Sequence, residues 1–200
     1  GNDKLGGSLS LFDNHYKNFI DDDVAMSAAE LAAIGLSAAD YPMGVTRTEN
    51  RARVQIYGAE LAAHWEFVPH WKLWGSVAWA NGEDLESNQR LSSVAPITSL
   101  LGLSYARDQY GADLMLRAAA ARDKVENAGD FEAPGYGVVD MTGWWQPAEL
   151  KGVKFQAGLF NALDKKYWNA LNVPTGTLAQ PDDYYSEVGR NFRVSASWQY

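Results

Sequence analysis

Three histidines, His15, His64 and His70, are the side chains here best suited to proton transfer or metal ligation. No H-E-x-x-H, G-x-S-x-G or phosphate-cradling glycine loop accompanies them. Nucleophilic catalysis needs a positioned base and a site for the oxyanion. Nothing in the sequence supplies them, so no enzyme and no metal centre is expected. The triplet Asp21, Asp22 and Asp23 would suit a helix N-terminus or a bound cation. It lacks the Asp/Asn spacing around a glycine turn that a calcium loop requires, and reads as a solvated acidic loop. Ser27 followed by Glu30 and an apolar stretch reads as a capping box opening a short helix.

The composition narrows the class. The 200 residues carry a net charge of -8 and a pI near 4.8, which argues against phosphate-driven nucleic-acid binding. There is no cysteine, hence no disulfide and no thiolate metal site. Mean hydropathy is -0.31, and no apolar run approaches the roughly 18 residues of a membrane helix. Hydropathy alone would read as soluble. A barrel strand, however, needs only about 9–11 residues and greases only alternate ones. The chain begins at Gly1 without an initiator Met or signal peptide, and is expected to be part of something longer.

The elements that would position these side chains are strands, because apolar residues recur with period two. In "GRNFRVSASWQY" Phe192, Val194, Ala196, Trp198 and Tyr200 alternate with Asn191, Arg193, Ser195, Ser197 and Gln199. In "VKFQAGLF" Val153, Phe155, Ala157 and Leu159 oppose Lys154, Gln156 and Gly158. "GYGVVDMTGWW" separates Val139, Met141 and Trp145 from Asp140, Thr142 and Trp144. "ADLMLRAAA" separates Leu114, Leu116 and Ala118 from Asp113, Met115 and Arg117. Leu101, Leu103 and Tyr105 share a face, as do Trp71, Leu73, Val77 and Trp79 opposite Lys72 and Ser76. Tyr57, Leu61, Trp65 and Phe67 oppose Glu60, His64 and Glu66. The first segment, 5–19, is the least regular, and its register after Leu11 is open.

About eight strands result, joined by alternately short and long connections. Short turns are expected at 68–70, 108–111 and 147–152. Long polar connections are expected at 21–50, 81–96, 122–134 and 163–188. That alternation is the mark of an antiparallel transmembrane β-barrel, with long extracellular loops and short periplasmic turns. Trp65, Phe67, Trp71, Tyr105, Trp145, Trp198 and Tyr200 all fall near the short-turn side with greasy parity, as an interfacial girdle would. A soluble β-sandwich is the alternative, but sandwich cores do not collect rings at one end.

Five stretches, "IYGAELAAHWEF", "APITSLLGLSYA", "PGYGVVDMTGWWQP", "GLFNALDKKYW" and "VGRNFRVSASWQY", resemble the C-terminal barrel of TonB-dependent outer-membrane receptors. "FDNHYKNFIDDDV" and "DKKYWNALNV" are more similar to the heme and hemoglobin branch than to the siderophore branches. The resemblance implies a 22-stranded barrel with an N-terminal plug, of which residues 1–200 would supply about the last eight strands. It implies import of heme, free or from a hemoprotein, driven by the TonB complex through a region this sequence lacks. Heme would be cargo, and no intrinsic cofactor is implied. Further partners would be the lipid bilayer and, through the closing aromatic strand, the outer-membrane insertion machinery. Ferric-siderophore uptake is the alternative within the family.

Ligand contacts are expected from the long loops. Heme iron accepts His, Tyr or Met, so Tyr41, Met43, Tyr184 and Tyr185 are candidate contacts, and Trp168 a candidate stacking ring; each could equally be a loop-packing residue. Asn161, Asp164 and Tyr167 match the family stretch and are expected to fix a strand end and loop. Glu60 and Asp140 face inward and need partners on neighbouring strands or a plug. A rival remains, a structural or adhesive eight-stranded barrel closed on itself, filled by Lys72, Asp113, Arg117, Asp140, Lys154, Gln156 and Arg193.

Overall fold

The computed structural model describes residues 4–41, 44–88, 90–91, 93–122, 131–173 and 180–199, with backbone only at 21–25 and 51–52. Eight strands form one antiparallel meander: β1 (Leu5–Ala25), β2 (Thr46–Val68), β3 (Trp71–Asp84), β4 (Thr98–Ala106), β5 (Tyr110–Ala119), β6 (Tyr136–Trp145), β7 (Val153–Phe160) and β8 (Asn191–Trp198). Every strand pairs with its neighbours in sequence, so short turns and long loops necessarily lie at opposite ends of the sheet. The turn after β2 is held by His70 at φ 72, and the turn before β7 by Gly152 at φ 79. A Cβ on Gly152 would come within 2.1 Å of the Gln199 carbonyl, which reserves that position for glycine.

The register carries the period-two faces across all eight strands. Leu61, Val77 and Ser99 lie in one cross-strand row, and Leu101, Leu116, Val139 in another, on the apolar face. Lys72, Ser104, Asp113, Thr142, Gly158 and Arg193 form a row on the opposite face. Among the described residues nothing covers the apolar face: Leu9, Leu11 and Val194 are 67%, 74% and 71% exposed. Such a face requires hydrocarbon, not water, against it. The buried side chains instead gather at the long-loop end, where Leu91, Ala133, Tyr167, Ala170 and Val173 pack beneath the loops.

The parity of β2 to β8 is as read from the sequence, but some boundaries move. β1 runs to Ala25 and β2 starts at Thr46, so Asp21, Asp22 and Asp23 lie in a strand rather than a loop. Asp21 pairs with Glu49, and the ladder shifts register only between Asp21 and Val24. Residues 81–84 likewise belong to β3. The ladder past Leu11 is continuous (Asp13 opposite Tyr57, Lys17 opposite Arg53), although the apolar alternation there has ended. These hairpin ends project beyond the greasy band, where pairing continues without a hydrophobic face to reveal it.

The rival closed on itself fails on topology. β1 and β8 are the two ends of the strand order and do not pair among the described residues. An eight-stranded barrel closes only through that pairing. Among the described residues the wall is an open sheet.

Candidate ligand site at the long loops

The long loops are built by local hydrogen-bonding side chains. In the loop after β1, Ser27 caps the short helix α1 (Ala28–Ala33) with both halves of the capping box. The Glu30 carboxylate accepts from the Ser27 amide at 2.8 Å and from Arg47 at 2.8 Å. These bonds, the Ser27 amide foremost, hold Glu30 below the usual carboxylate range. Because its folded value is the lower one, its support of the helix is complete above about 4.5 and fades as pH falls through that lower value. Acidification in that range is expected to lower the protection of the α1 amides relative to their intrinsic exchange rates, and Glu30→Gln to remove that pH dependence, as hydrogen exchange would read.

The loop between β7 and β8 is fixed at its base by Asn161 and Asp164, both in the left-handed region at φ 48 and φ 55. The Asn161 amide side chain donates to the Lys165 carbonyl at 2.7 Å and accepts from the Lys165 N–H at 2.9 Å. Asp164 accepts from the Arg190 N–H at 2.8 Å, joining the returning limb. Tyr167 is buried against Tyr136, ring centroids 4.5 Å apart. These three residues shape the loop rather than offer it to a ligand.

Above this base the aromatic side chains collect. Trp168 donates its indole N–H to the Asp182 carbonyl at 2.7 Å. Phe131 from the β5–β6 loop packs on it at 5.9 Å, and Lys166 lies 5.6 Å from its ring centre. Lys166 is also ion-paired to Asp183. Tyr184 and Tyr185 meet edge to face at 5.2 Å, with Tyr184 69% exposed. So Trp168, Tyr184 and Tyr185 share one loop, whereas Tyr41, also exposed, ends a 3-10 turn in the β1–β2 loop at the far edge of the sheet. Met43 lies outside the described residues. Trp168 is half-buried among its neighbours, which leaves Tyr184 as the ring best placed to touch a ligand.

One buried side chain that the sequence did not suggest joins two loops. Arg122, 8% exposed, donates from Nη1 to the Ala170 carbonyl at 2.6 Å and from Nη2 to the Phe131 carbonyl at 3.3 Å. Nothing in its local pattern separates it from the other arginines of the polar connections, since its partners are backbone carbonyls 9 and 48 residues away.

The polar face below the loops carries its own network. Arg117 Nε donates to Asp140 at 2.6 Å, and the Asn161 N–H donates to the same carboxylate at 2.8 Å, tying wall to loop base. Glu60 has no hydrogen-bond or ion-pair partner among the described residues. The Trp74 ring fills the space beside Gly102 that a Cβ would need and donates to Ser104 at 2.8 Å, and Ser104 in turn donates to Asp113. His64 is half-buried on this face, its ring lying over Gly6, while His15 is exposed on the other face.

The apolar face has rings at two heights. At the short-turn end Trp65 meets Phe67 at 5.7 Å, Trp71 meets Tyr105 at 4.9 Å, Tyr105 meets Tyr110 at 6.1 Å, and Trp145 stacks on Phe155 at 5.8 Å. Trp198 stands opposite Val153 at the same end; Tyr200 is outside the described residues. Tyr110 and Phe155 join this row although they were not among the expected rings. A second row, Tyr57 edge-on to Trp79 at 5.7 Å, was not foreseen. Along β2, ten residue steps separate Phe67 from Tyr57, about 33 Å of strand. A tilt near 40° makes that about 25 Å of height, the span of an outer-membrane barrel's apolar band.

The family description "TonB dependent receptor-like, beta-barrel" matches residues 1–162. The chain belongs to the TonB-dependent receptors. The receptor wall therefore stands in the outer membrane, apolar face to lipid and polar face to lumen, in a family of receptors and transporters rather than enzymes. Hemoglobin-haptoglobin-binding protein A of Haemophilus influenzae is 24% identical over 225 residues, 96% of this chain and 21% of that protein. Heme/hemopexin utilization protein C of the same species is 25% identical over 206 residues, 99% of this chain and 27% of that protein. The receptor segment thus spans between a fifth and a third of the length of these relatives. Among solved structures, the copper transporter OprC superposes with TM-score 0.78 at 21% identity, covering 100% of this chain and 30% of that one. The ferric enterobactin receptor of Pseudomonas aeruginosa superposes with TM-score 0.68 at 20% identity, covering 98% of this chain and 29% of that one. At these identities the two structures share the fold with the receptor.

Proposed function

We propose that residues 1–200 form the C-terminal eight-strand wall of an outer-membrane receptor that imports heme, free or from a hemoprotein, with energy from the TonB complex. The observation that carries this reading is the match to heme and hemoglobin-binding relatives across 96–99% of the chain, loops included. The β7–β8 loop supports it, since Tyr184 presents an exposed phenol of a kind that ligates or packs on heme. Heme is cargo here, and no resident cofactor is needed. The two open sheet edges would pair with further strands of the same barrel, because an unpaired edge cannot face hydrocarbon. The lower ring row would anchor the wall at the periplasmic interface, and the aromatic-rich β8 would be read by the insertion machinery.

Titration of the full receptor with heme tests the reading. A saturable Soret shift at micromolar heme is expected, weakened by Tyr184→Ala. No shift, with binding of a ferric catecholate instead, would replace heme by a siderophore as the cargo.

A further inference from the structure

The lumenal face of the wall is not uniformly open. Glu60 and Ala62 on β2 and Lys72 on β3 are exposed, whereas Val138 and Asp140 on β6 are 0% and 2% exposed on that same face. The β7–β8 loop supplies the cover. Tyr167 packs on Tyr136, the next lumenal residue above Val138, with ring centroids 4.5 Å apart. The Tyr167 phenol also faces the guanidinium of Arg117, which stands opposite Val138 on β5. Below Val138, the Asn161 N–H closes on Asp140 at 2.8 Å. Val138 thus sits between two loop contacts, one on each of its lumenal neighbours along β6. The first limb of the loop, 165–173, turns inward onto β5 and β6 and takes up lumen that these strands would otherwise line.

The attachment is of a kind that releases. None of residues 165–173 belongs to a strand, so no ladder binds this limb to the wall. Side chains hold it: Tyr167 against Tyr136 and Arg117, and Arg122 on the Ala170 carbonyl at 2.6 Å. A segment held by few side-chain contacts opens at far lower free energy than the strands beneath it. The two limbs are tied together, because the Glu187 N–H donates to the Tyr167 carbonyl at 2.8 Å and the Asn172 side chain to Glu187 at 2.6 Å. Tyr184 stands just before Glu187 on the returning limb, so a ligand drawn to Tyr184 acts on the same strap that Tyr167 fastens.

We propose that the β7–β8 loop is an inner gate of the receptor. With Tyr167 seated on Tyr136 it narrows the lumen beside β5 and β6, and cargo passes once Tyr167 leaves that seat. The passage of heme through it rests on the cargo reading above; the seating of the loop does not.

Two measurements on the full receptor in its membrane test the gate, with cysteines only at the named positions. The first needs no cargo. Val138→Cys should react slowly with a small water-soluble maleimide, and about tenfold faster once Tyr136→Ala or Tyr167→Ala removes one ring of the pair. Both variants should keep the heat-dependent gel mobility of a folded barrel. Fast reaction with both rings in place, or no acceleration in either variant, would overturn the proposal. The second measurement bridges Tyr136→Cys to Tyr167→Cys with a short bis-methanethiosulfonate. The bridged receptor should still give the Soret shift with heme but stop importing it, and a reductant should restore import. Import at the unbridged rate would show that the loop is no gate. Absence of heme import even without the bridge, beside the expected maleimide rates, would remove heme as the cargo and leave the gate standing.

Discussion

Arg117→Ala should lower the unfolding temperature of the full receptor more than any other single change in the described lumenal wall. Asp140 is 2% exposed and rests between strands, its carboxylate served by Arg117 at 2.6 Å and by the Asn161 N–H at 2.8 Å. Removing the guanidinium leaves a buried carboxylate with one amide donor. Breaking a buried pair in this way costs about 3–5 kcal/mol. The reverse change, Asp140→Ala, should cost less. The Arg117 side chain is 32% exposed and can turn away from the sheet into the lumen. An apolar double variant, Arg117→Met with Asp140→Leu, should recover part of the loss, because neither charge then needs a partner. Thermal unfolding followed by circular dichroism of the four proteins makes the comparison. If Arg117→Ala and Asp140→Ala fell equally, burial of the carboxylate would not be the cause.

Arg122→Ala should weaken cargo binding by roughly tenfold or more while leaving barrel unfolding almost unchanged. Its guanidinium holds the β5–β6 loop through the Phe131 carbonyl and the β7–β8 loop through the Ala170 carbonyl. Hydrogen bonds from a charged donor contribute about 1.5–3 kcal/mol each, so two outweigh the packing left between Phe131 and Trp168. Without them the loop that carries Tyr184 must be ordered when the ligand arrives, and that ordering subtracts from affinity. Arg122→Lys should not restore binding, because one ammonium cannot reach two carbonyls with the spread of a planar fork. Limited proteolysis of the two loops, measured beside heme affinity, checks the mechanism. Faster cleavage with unchanged affinity would separate the clamp from binding.

These two arginines also show where reading the sequence stops. Arg117 was visible as an inward residue from strand parity, because alternation assigns a face. Its partner Asp140 was visible in the same way on the next strand. Their pairing, and the tie from Asp140 to Asn161, depends on a register and a loop return that parity does not specify. Arg122 was invisible, since its partners are backbone carbonyls of distant loops. The hairpin β1–β2 was misjudged for a related reason. Past Leu11 and Tyr57 its faces leave the lipid, so the alternation that marks a strand disappears while the ladder hydrogen bonds continue.

The sequence by itself determined the membrane-spanning strands, their lipid and lumen faces and the side on which the long loops lie. Each of these follows from a period-two contrast between hydrocarbon and water that must be written into consecutive residues. Only the tertiary structure decided that β1 and β8 do not close on each other, that rings stand at two heights about 25 Å apart, and which loop side chains meet. Those outcomes rest on contacts between residues far apart in the chain, where neither spacing nor alternation carries information.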